Sequence, residues 1–508
     1  MERRSFNKLI IATGITASVQ KGWPKSLLVS QSVPALPAVV DNNRSVELCL
    51  NSRYSFHGGY TTTANNQIIA NTLWAAAAAP LIATERIIYV ALSDNLYRYR
   101  FQDGNHVLEK HLAGDKRTEK SATAFEIGVA TTPADALEDA GAALHWAHLA
   151  TIAFWGSKSN QPGCCPKDSA TDDANSSWNP ASSIHLVNCY GQMAAVNGTT
   201  AELVAASSDK SLPDPTTDGT MSLEKTIKNP LFGASFLSDN LTLDQLSQIL
   251  WASYGCTPHK IGAAAGISVA SWNYKYFMTG KIYLAIADGI KRYHIRTSSS
   301  AVSSRDHRIV DFSADDCRTE LRSALSRLPQ QAPAYFIFCG SKVERPQRIE
   351  AGYCGSSALL QTTALGLQGH YCAQFTATEQ SAIQQACGIP AADIPMLIFS
   401  AGKPSDTHVE FDRRIGLNRS TGLSAHPNPF SHATVLSFSI GARYGVAVRI
   451  FDMKGQLVRK LTSGKTAKGL ASINWDGCDD RGRTVAPGMY TCMLDMHGHK
   501  ESIQIRKQ

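Results

Sequence analysis

The sequence predicts an α+β protein: two tandem, similar halves, then a small all-β sandwich. Three observations carry that expectation. Four sequence blocks recur in the same order between residues 73 and 369. Helical and alternating patterns intermix within them. The last stretch, from residue 426, holds only short alternating runs separated by glycine turns.

The chain has 508 residues, room for roughly three or four domains. A hydrophobic share of 43% suffices for packed cores, and a charged share of 18% argues against a disordered or coiled-coil chain. The net charge of +7 is spread thinly, with no long block of like charge, which weighs against nucleic acid or a membrane surface as partner. The longest apolar runs, at 9–19 and 73–83, fall short of the ~20 residues of a spanning helix. A soluble mature chain is therefore expected. None of the twelve cysteines forms Cys-x-x-Cys, so the usual zinc-ribbon, iron–sulfur and thioredoxin spacings are missing.

The elements follow in chain order. Arg3-Arg4, then Ser5-Phe6-Asn7-Lys8 and a short apolar run, read as an export signal and leader over 1–35. The order resembles a twin-arginine signal, with a general secretory signal as the alternative. Next comes the repeat. LWAAAAAPL (73–81) matches LWASYGCTP (250–258), and IYVALSDNLYRY (88–99) matches IYLAIADGIKRY (282–293). GDKRTE (114–119) matches DDCRTE (315–320), and the helix from Ala140 matches that from Ala351. The offset grows from 177 (250 − 73) to 211 (351 − 140), as insertions in the second copy would cause. That period is too long for a solenoid, so a duplicated domain is expected, over 44–200 and 222–414.

Local signals support each copy. Asn65 is a good helix N-cap, and Thr242 to Gln245 has the form of a capping box. Leu243, Leu246, Ile249 and Leu250 then share one helical face. Ile282, Leu284 and Ile286 alternate as a strand up to a turn at Asp288-Gly289. Further strands are expected at 335–339 and 394–399, with a small-residue helix from Gly355 to Leu365. Residues 163–175, which hold Cys164-Cys165 and Asp172-Asp173, read as a solvated loop.

The blocks LeuTrpAlaSerTyrGly (250–255), IleGluAlaGly (349–352) and AlaLeuGlyLeuGlnGly (364–369) resemble the nitroreductase superfamily, and within it the SagB-type dehydrogenases. The resemblance implies an FMN-binding fold that is usually an intertwined homodimer with FMN at the interface. Two fused copies would build that dimer inside one chain, as a monomeric pseudo-dimer. The family's phosphate signature, Arg-Arg-Ser-x-Arg, has its counterpart at Arg53, Ser55 and His57 in the first copy, whereas 229–236 in the second has no Arg. Between the first two blocks the second copy is 17 residues longer (194 − 177), and the extra length holds Ser271 and Asn273, which resemble the family's ring-contacting loop. One composite site is thus implied. Arg53 and Ser55 would serve the phosphate, and Ser271 and Asn273 the ring. Gly366, Gly369 and Arg414 (or Arg413) are the further counterparts, belonging to the second copy. The cofactor implied is FMN, with its loss as the alternative.

Other constellations are weaker. His145 and His148 have metal-ligand spacing, but their apolar neighbours favour packed histidines. His370 follows the glycine turn, where it could face a pocket. No Gly-x-Ser-x-Gly, P-loop or His-Glu-x-x-His occurs.

After a linker at 415–422, Leu436, Phe438 and Ile440, then Val446, Val448 and Ile450, alternate as strands of a small sandwich. PheAspMetLysGlyGln (451–456), AsnTrpAspGlyCysAspAspArgGlyArg (474–483) and ValAlaProGlyMetTyr (485–490) resemble FlgD-like and type IX secretion C-terminal sorting domains. The resemblance implies a secretion machinery as partner, passage through the periplasm, and a cell-surface or extracellular destination. The function expected is an exported FMN-dependent oxidoreductase of SagB-like type. It would transfer hydride through flavin N5 at the interface of the copies, on a small-molecule or peptide substrate. The alternative is a degenerate, non-catalytic scaffold for binding or display.

Overall fold

The computed structural model describes residues 34–508 apart from 57–58, 81–82, 84, 103, 156–160, 194–203, 206–211, 262–263, 273–274, 296–303, 330–331, 406–422, 441–445, 454, 464–468 and 497–498. Residues 1–33 of the expected export signal and leader, His57, Asn273, Arg413 and Arg414 lie outside the described residues.

Helices and strands intermix, as the α+β expectation requires. The first half contains α1 (Val46–Ser52), α2 (Asn66–Ala78), α3 (Leu137–Ile152) and α4 (Asp168–Ser177). Its strands are β1 (Glu85–Ala91), β2 (Asn95–Gln102), β3 (Asn105–Ala113), β4 (Phe125–Thr132), β5 (Gln161–Lys167) and β6 (Ile184–Met193). They form one antiparallel sheet in the order β3-β2-β1-β4-β6-β5. The second half contains α5 (Leu223–Lys228), α6 (Leu243–Tyr254), α7 (Arg318–Ala324), α8 (Arg345–Ala364) and α9 (Ala377–Cys387). Between the two sheets come β7 (Val204–Ala205) and the hairpin of β8 (Cys256–Ile261) and β9 (Ala264–Ile267). Then follow β10 (Ile282–Ile286), β11 (Gly289–His294), β12 (Ser304–Arg305), β13 (Arg308–Ser313), β14 (Ala334–Gly340), β15 (Gln368–Ala373) and β16 (Ile394–Gly402). β12 pairs with β7, and the other five strands after β10 join it in an antiparallel sheet of order β13-β11-β10-β14-β16-β15. Position for position, that is the order of the first sheet.

Local chemistry explains the element ends. Asn65 caps α2 by accepting from Gln67 N at 2.7 Å. Thr242 and Gln245 close the capping box of α6 at 3.2 and 3.0 Å. Helix α8 starts at Arg345, well before the expected Gly355, because Pro346 suits the first helical turn. The expected loop at 163–175 is instead β5 and α4. Pro162 and Pro166 disguise the strand, and they are tolerated because β5 is an edge strand. Cys164 and Cys165 are wholly buried in it, and Asp172 and Asp173 lie exposed on α4.

The halves meet where α3 crosses α8. A Cβ on Gly141 would stand 2.3 Å from the carbonyl oxygen of Ile349, and one on Gly352 would stand 2.1 Å from that of Glu138. Only glycine permits so close an approach. Both pairs are reciprocal at the offset of the repeated block (352 − 141 = 211; 349 − 138 = 211). Ser45 and Ser222, each the N-cap of its helix (α1 and α5), also pair with each other. One hydrophobic core runs through both halves, from Trp146 and Leu144 to Leu359 and Phe399. A second cluster lies under α7 and α9 on the outer face of the second sheet.

The tail packs β17 (Ser424–His426), β18 (Thr434–Ile440) and β21 (Gly469–Trp475) against β19 (Val446–Phe451), β20 (Leu457–Ser463), β22 (Gly488–Met496) and β23 (His499–Lys507). Leu436, Val448, Ile450, Trp475 and Ile505 fill the space between these sheets.

Candidate functional site

Arg53 follows directly on α1 and points into the seam between the halves. Its side chain is 4% exposed. Nε donates to Ser268 O at 3.0 Å, Nη2 to Ile267 O at 2.8 Å, and Nη1 to Ser55 Oγ at 3.2 Å. A guanidinium has five N–H groups, so two are left over. Among the described residues no carboxylate pairs with it, and burial pushes its pKa down to about 10.

The carbonyls that Arg53 holds belong to the long connection of the second half. There 255–281 link α6 to β10, whereas 79–84 suffice between α2 and β1. The β8–β9 hairpin leans on α1, and the chain then crosses the seam. Ser271 Oγ donates to Glu350 Oε2 at 2.6 Å and accepts from Tyr276 N at 2.7 Å. Tyr254 donates to the other oxygen of Glu350 at 2.6 Å, and Met278 N donates to it at 3.4 Å. Burial pushes the Glu350 carboxyl up to about 7 against these bonds, so both protonation states are accessible near neutrality.

These residues enclose a cavity of about 330 Å³, within the range of small-ligand sites. Arg53, Ser55 and 166–169 line it from the first half; Ser271, Trp272, Tyr276, Glu350 and Tyr353 line it from the second. The first turn of α4, which has no side-chain cap, opens onto the cavity at Asp168 and Ser169. Arg345 braces the rim, bonding Asp168 at 2.8 Å with its guanidinium 5.1 Å from the Trp272 ring centroid.

The corresponding place on the other side of the seam is built differently. At the offset of 177, the counterparts of Arg53 and Ser55 are Pro230 and Phe232. Phe232 pairs with Gly369 in the way Ser55 pairs with Cys164, and its ring stacks on His370 at 5.3 Å. Asp139, the counterpart of Glu350 (350 − 211), binds Ala83 N in the short connection. That side therefore has no counterpart of the Arg53 cation or of the long loop.

Arg53, Ser55 and Ser271 thus meet at one cavity. Gly366 and Gly369 are not among its lining residues. Gly366 adopts the left-handed conformation (φ 69°) after α8, and Gly369 is the second residue of β15, against the Phe399 ring. His370 is also away from the cavity, and burial pushes its pKa down to about 4. His145 shares a 2.6 Å hydrogen bond with Ser357, and His148 donates to Tyr54 O at 3.1 Å. Burial, and then the Arg53 charge, lower both histidines, His148 to about 3. Among the described residues no group of three or more His, Cys, Asp or Glu is arranged to hold a metal. Glu350, Trp272 and Tyr353 carry no assigned role in the sequence reading. The available signal was a lone acid among small and apolar residues on a helix.

Residues 441–496 match the family model of the FlgD Ig-like domain. Among solved structures, the chain is similar to a protein of Anabaena variabilis assigned as a nitroreductase. That match has 14% identity and a TM-score of 0.49, and covers 74% of this chain and 94% of that one. A Ralstonia eutropha protein assigned as a nitroreductase matches at 20% identity and a TM-score of 0.32, covering 41% and 95%. FlgD of P. aeruginosa matches at 27% identity and a TM-score of 0.13, covering 15% and 60%. A comparison with curated proteins gives no match. Among the described residues no helix is long and apolar enough to cross a membrane. The solved neighbours of the main body are nitroreductase-family proteins, and the tail carries the FlgD-like domain.

Proposed function

We propose that the seam cavity binds FMN and that the chain is an exported FMN-dependent oxidoreductase of SagB-like nitroreductase type, built as a tandem pseudo-dimer. One observation carries this reading. Among the described residues Arg53 is a buried cation without a carboxylate partner, and it has two unspent N–H groups at the wall of a cavity lined by polar, aromatic and aliphatic side chains. Such a cation favours an anionic ligand, and a phosphate suits the remaining donors best.

The residues fit the cofactor. Arg53 and Ser55 would hold the phosphate, helped by the uncapped start of α4. Ser271 and Asn273 would meet the ring. When bound, FMN supplies hydride transfer through N5. The chain's own residues provide the surroundings. Trp272, Tyr276 and Tyr353 shield the cavity from water, and Glu350 holds a proton at its carboxyl near neutral pH. The Arg345–Asp168 bond ties the two halves across the rim. The FlgD-like tail supports passage through a secretion machinery to the cell surface or beyond.

A second reading, a non-catalytic scaffold for binding or display, is favoured by one feature. Three N–H groups of Arg53 and the Ser271 hydroxyl are already bonded within the chain. Incubating the purified chain with FMN and removing free flavin by gel filtration separates the two. The oxidoreductase reading expects a yellow protein whose visible bands bleach on reduction. A chain that emerges colourless leaves the scaffold.

A further inference from the structure

We propose that Cys317 and Cys387 form a disulfide that ties α7 to α9 on the outer face of the second sheet. Their sulfurs stand 2.8 Å apart, too close for two unbonded sulfurs to rest, while a disulfide holds them at about 2.05 Å. Both side chains are buried in the cluster formed by Leu321, Leu325 and Ile383. Cys317 is the N-cap of α7 and makes no side-chain capping bond, so its sulfur has no competing role at the helix start. Cys387 is the last residue of α9, and Gly388 turns the chain away in the left-handed conformation (φ 60°). The capping box of Thr376 and Glu379 fixes the other end of α9. Both cysteines are therefore held by settled backbone.

The first half secures the same junction by other means. Cys317 corresponds to Lys116 at the offset of its repeated block (315 − 114 = 201; 317 − 201 = 116). Helix α4 occupies the place of α9, between the strands equivalent to β15 and β16. Its C-cap, Trp178, is fully buried and donates from Nε1 to Lys116 O at 2.7 Å. A hydrogen bond thus fastens the end of that helix to the segment before β4. In the second half the two sulfurs stand where that bond would be.

The reaction is thiol–disulfide exchange with a disulfide donor, either oxidised glutathione or a protein dithiol oxidase. One thiolate attacks the donor disulfide and releases one donor thiol. The second thiolate then attacks the mixed disulfide and releases the other. Cys317 and Cys387 together lose two protons and two electrons, and the donor is reduced to two thiols. Burial of both sulfurs means that the bond closes as the chain folds.

The test is peptide mapping of the full chain, refolded with oxidised glutathione and alkylated without reduction. The expected result is a linked pair of peptides containing Cys317 and Cys387, lighter by two hydrogens than the free peptides and separated by reductant. A second measurement uses the C317A/C387A double variant. Reductant lowers the unfolding midpoint of the parent chain and leaves that of the variant unmoved. Alkylated, free Cys317 and Cys387 in the folded, oxidised parent would overturn the proposal, as would a mapped bond from either one to a third cysteine.

Discussion

At the residue scale, Arg53 does two things at once. It clamps the carbonyls of Ile267 and Ser268, and it leaves a positive charge at the cavity wall. Arg53→Ala should weaken FMN binding by roughly tenfold to a hundredfold, the range expected for losing a charge-assisted bond. Flavin fluorescence titration measures this, with circular dichroism to show that the fold persists. Arg53→Lys should not restore full affinity, because an ammonium cannot keep the two carbonyl bonds and still present a planar fork. An unchanged affinity in both variants would place the phosphate elsewhere. Glu350 makes a pH prediction. Its folded pKa of about 7 lies above the ordinary 4.5, so the protonated form favours the folded state. That contribution is complete below about pH 4.5 and is lost as pH rises through 7. Relative to Glu350→Gln, the parent chain should lose up to roughly 3 kcal/mol of stability across that window. Denaturant melts of the two chains at several pH values measure the difference, and a flat difference contradicts the assignment. Arg53 was legible in the sequence because its neighbours fit a known signature. Glu350 was not, because an acid inside a helix usually faces solvent, and only the packing of the long loop against α8 shows otherwise.

At the element scale, periodic segments were the readable ones. The capped starts of α2 and α6, the β10 strand with its turn, and the buried β14 and β16 all announce themselves by spacing and caps. β5 did not, because Pro162, Gly163 and Pro166 are loop residues unless the strand lies at a sheet edge. The early start of α8 was hidden by its polar first turn. The crossing of α3 and α8 was also invisible, since Gly141 and Gly352 lie in small-residue runs that suit many packings. Gly352→Ala should destabilise the chain by about 1–3 kcal/mol or more, because its new methyl would meet the Glu138 carbonyl. An unchanged urea midpoint would mean that the helices do not approach there. The Cys317–Cys387 tie closes a separation of 70 residues, for which chain entropy alone suggests roughly 4 kcal/mol. Removing it should therefore be felt mainly in oxidising buffer.

At the scale of the whole molecule, two halves of equal strand order differ at their two corresponding seam positions. One has a buried cation and a long loop. The other has Pro230 and Phe232 in place of Arg53 and Ser55, and a short connection. The equal strand order of the two sheets accords with the four blocks that recur in order in the sequence, and the growing offset falls where the long loop lies. Which residues would share one cavity was less legible, since Gly366, Gly369 and His370 belong to the same blocks yet lie away from it. The most direct measurement is the stoichiometry of FMN binding, by titration calorimetry on the full chain. This account predicts saturation at one FMN per chain. Two per chain, or no binding heat at all, would contradict it.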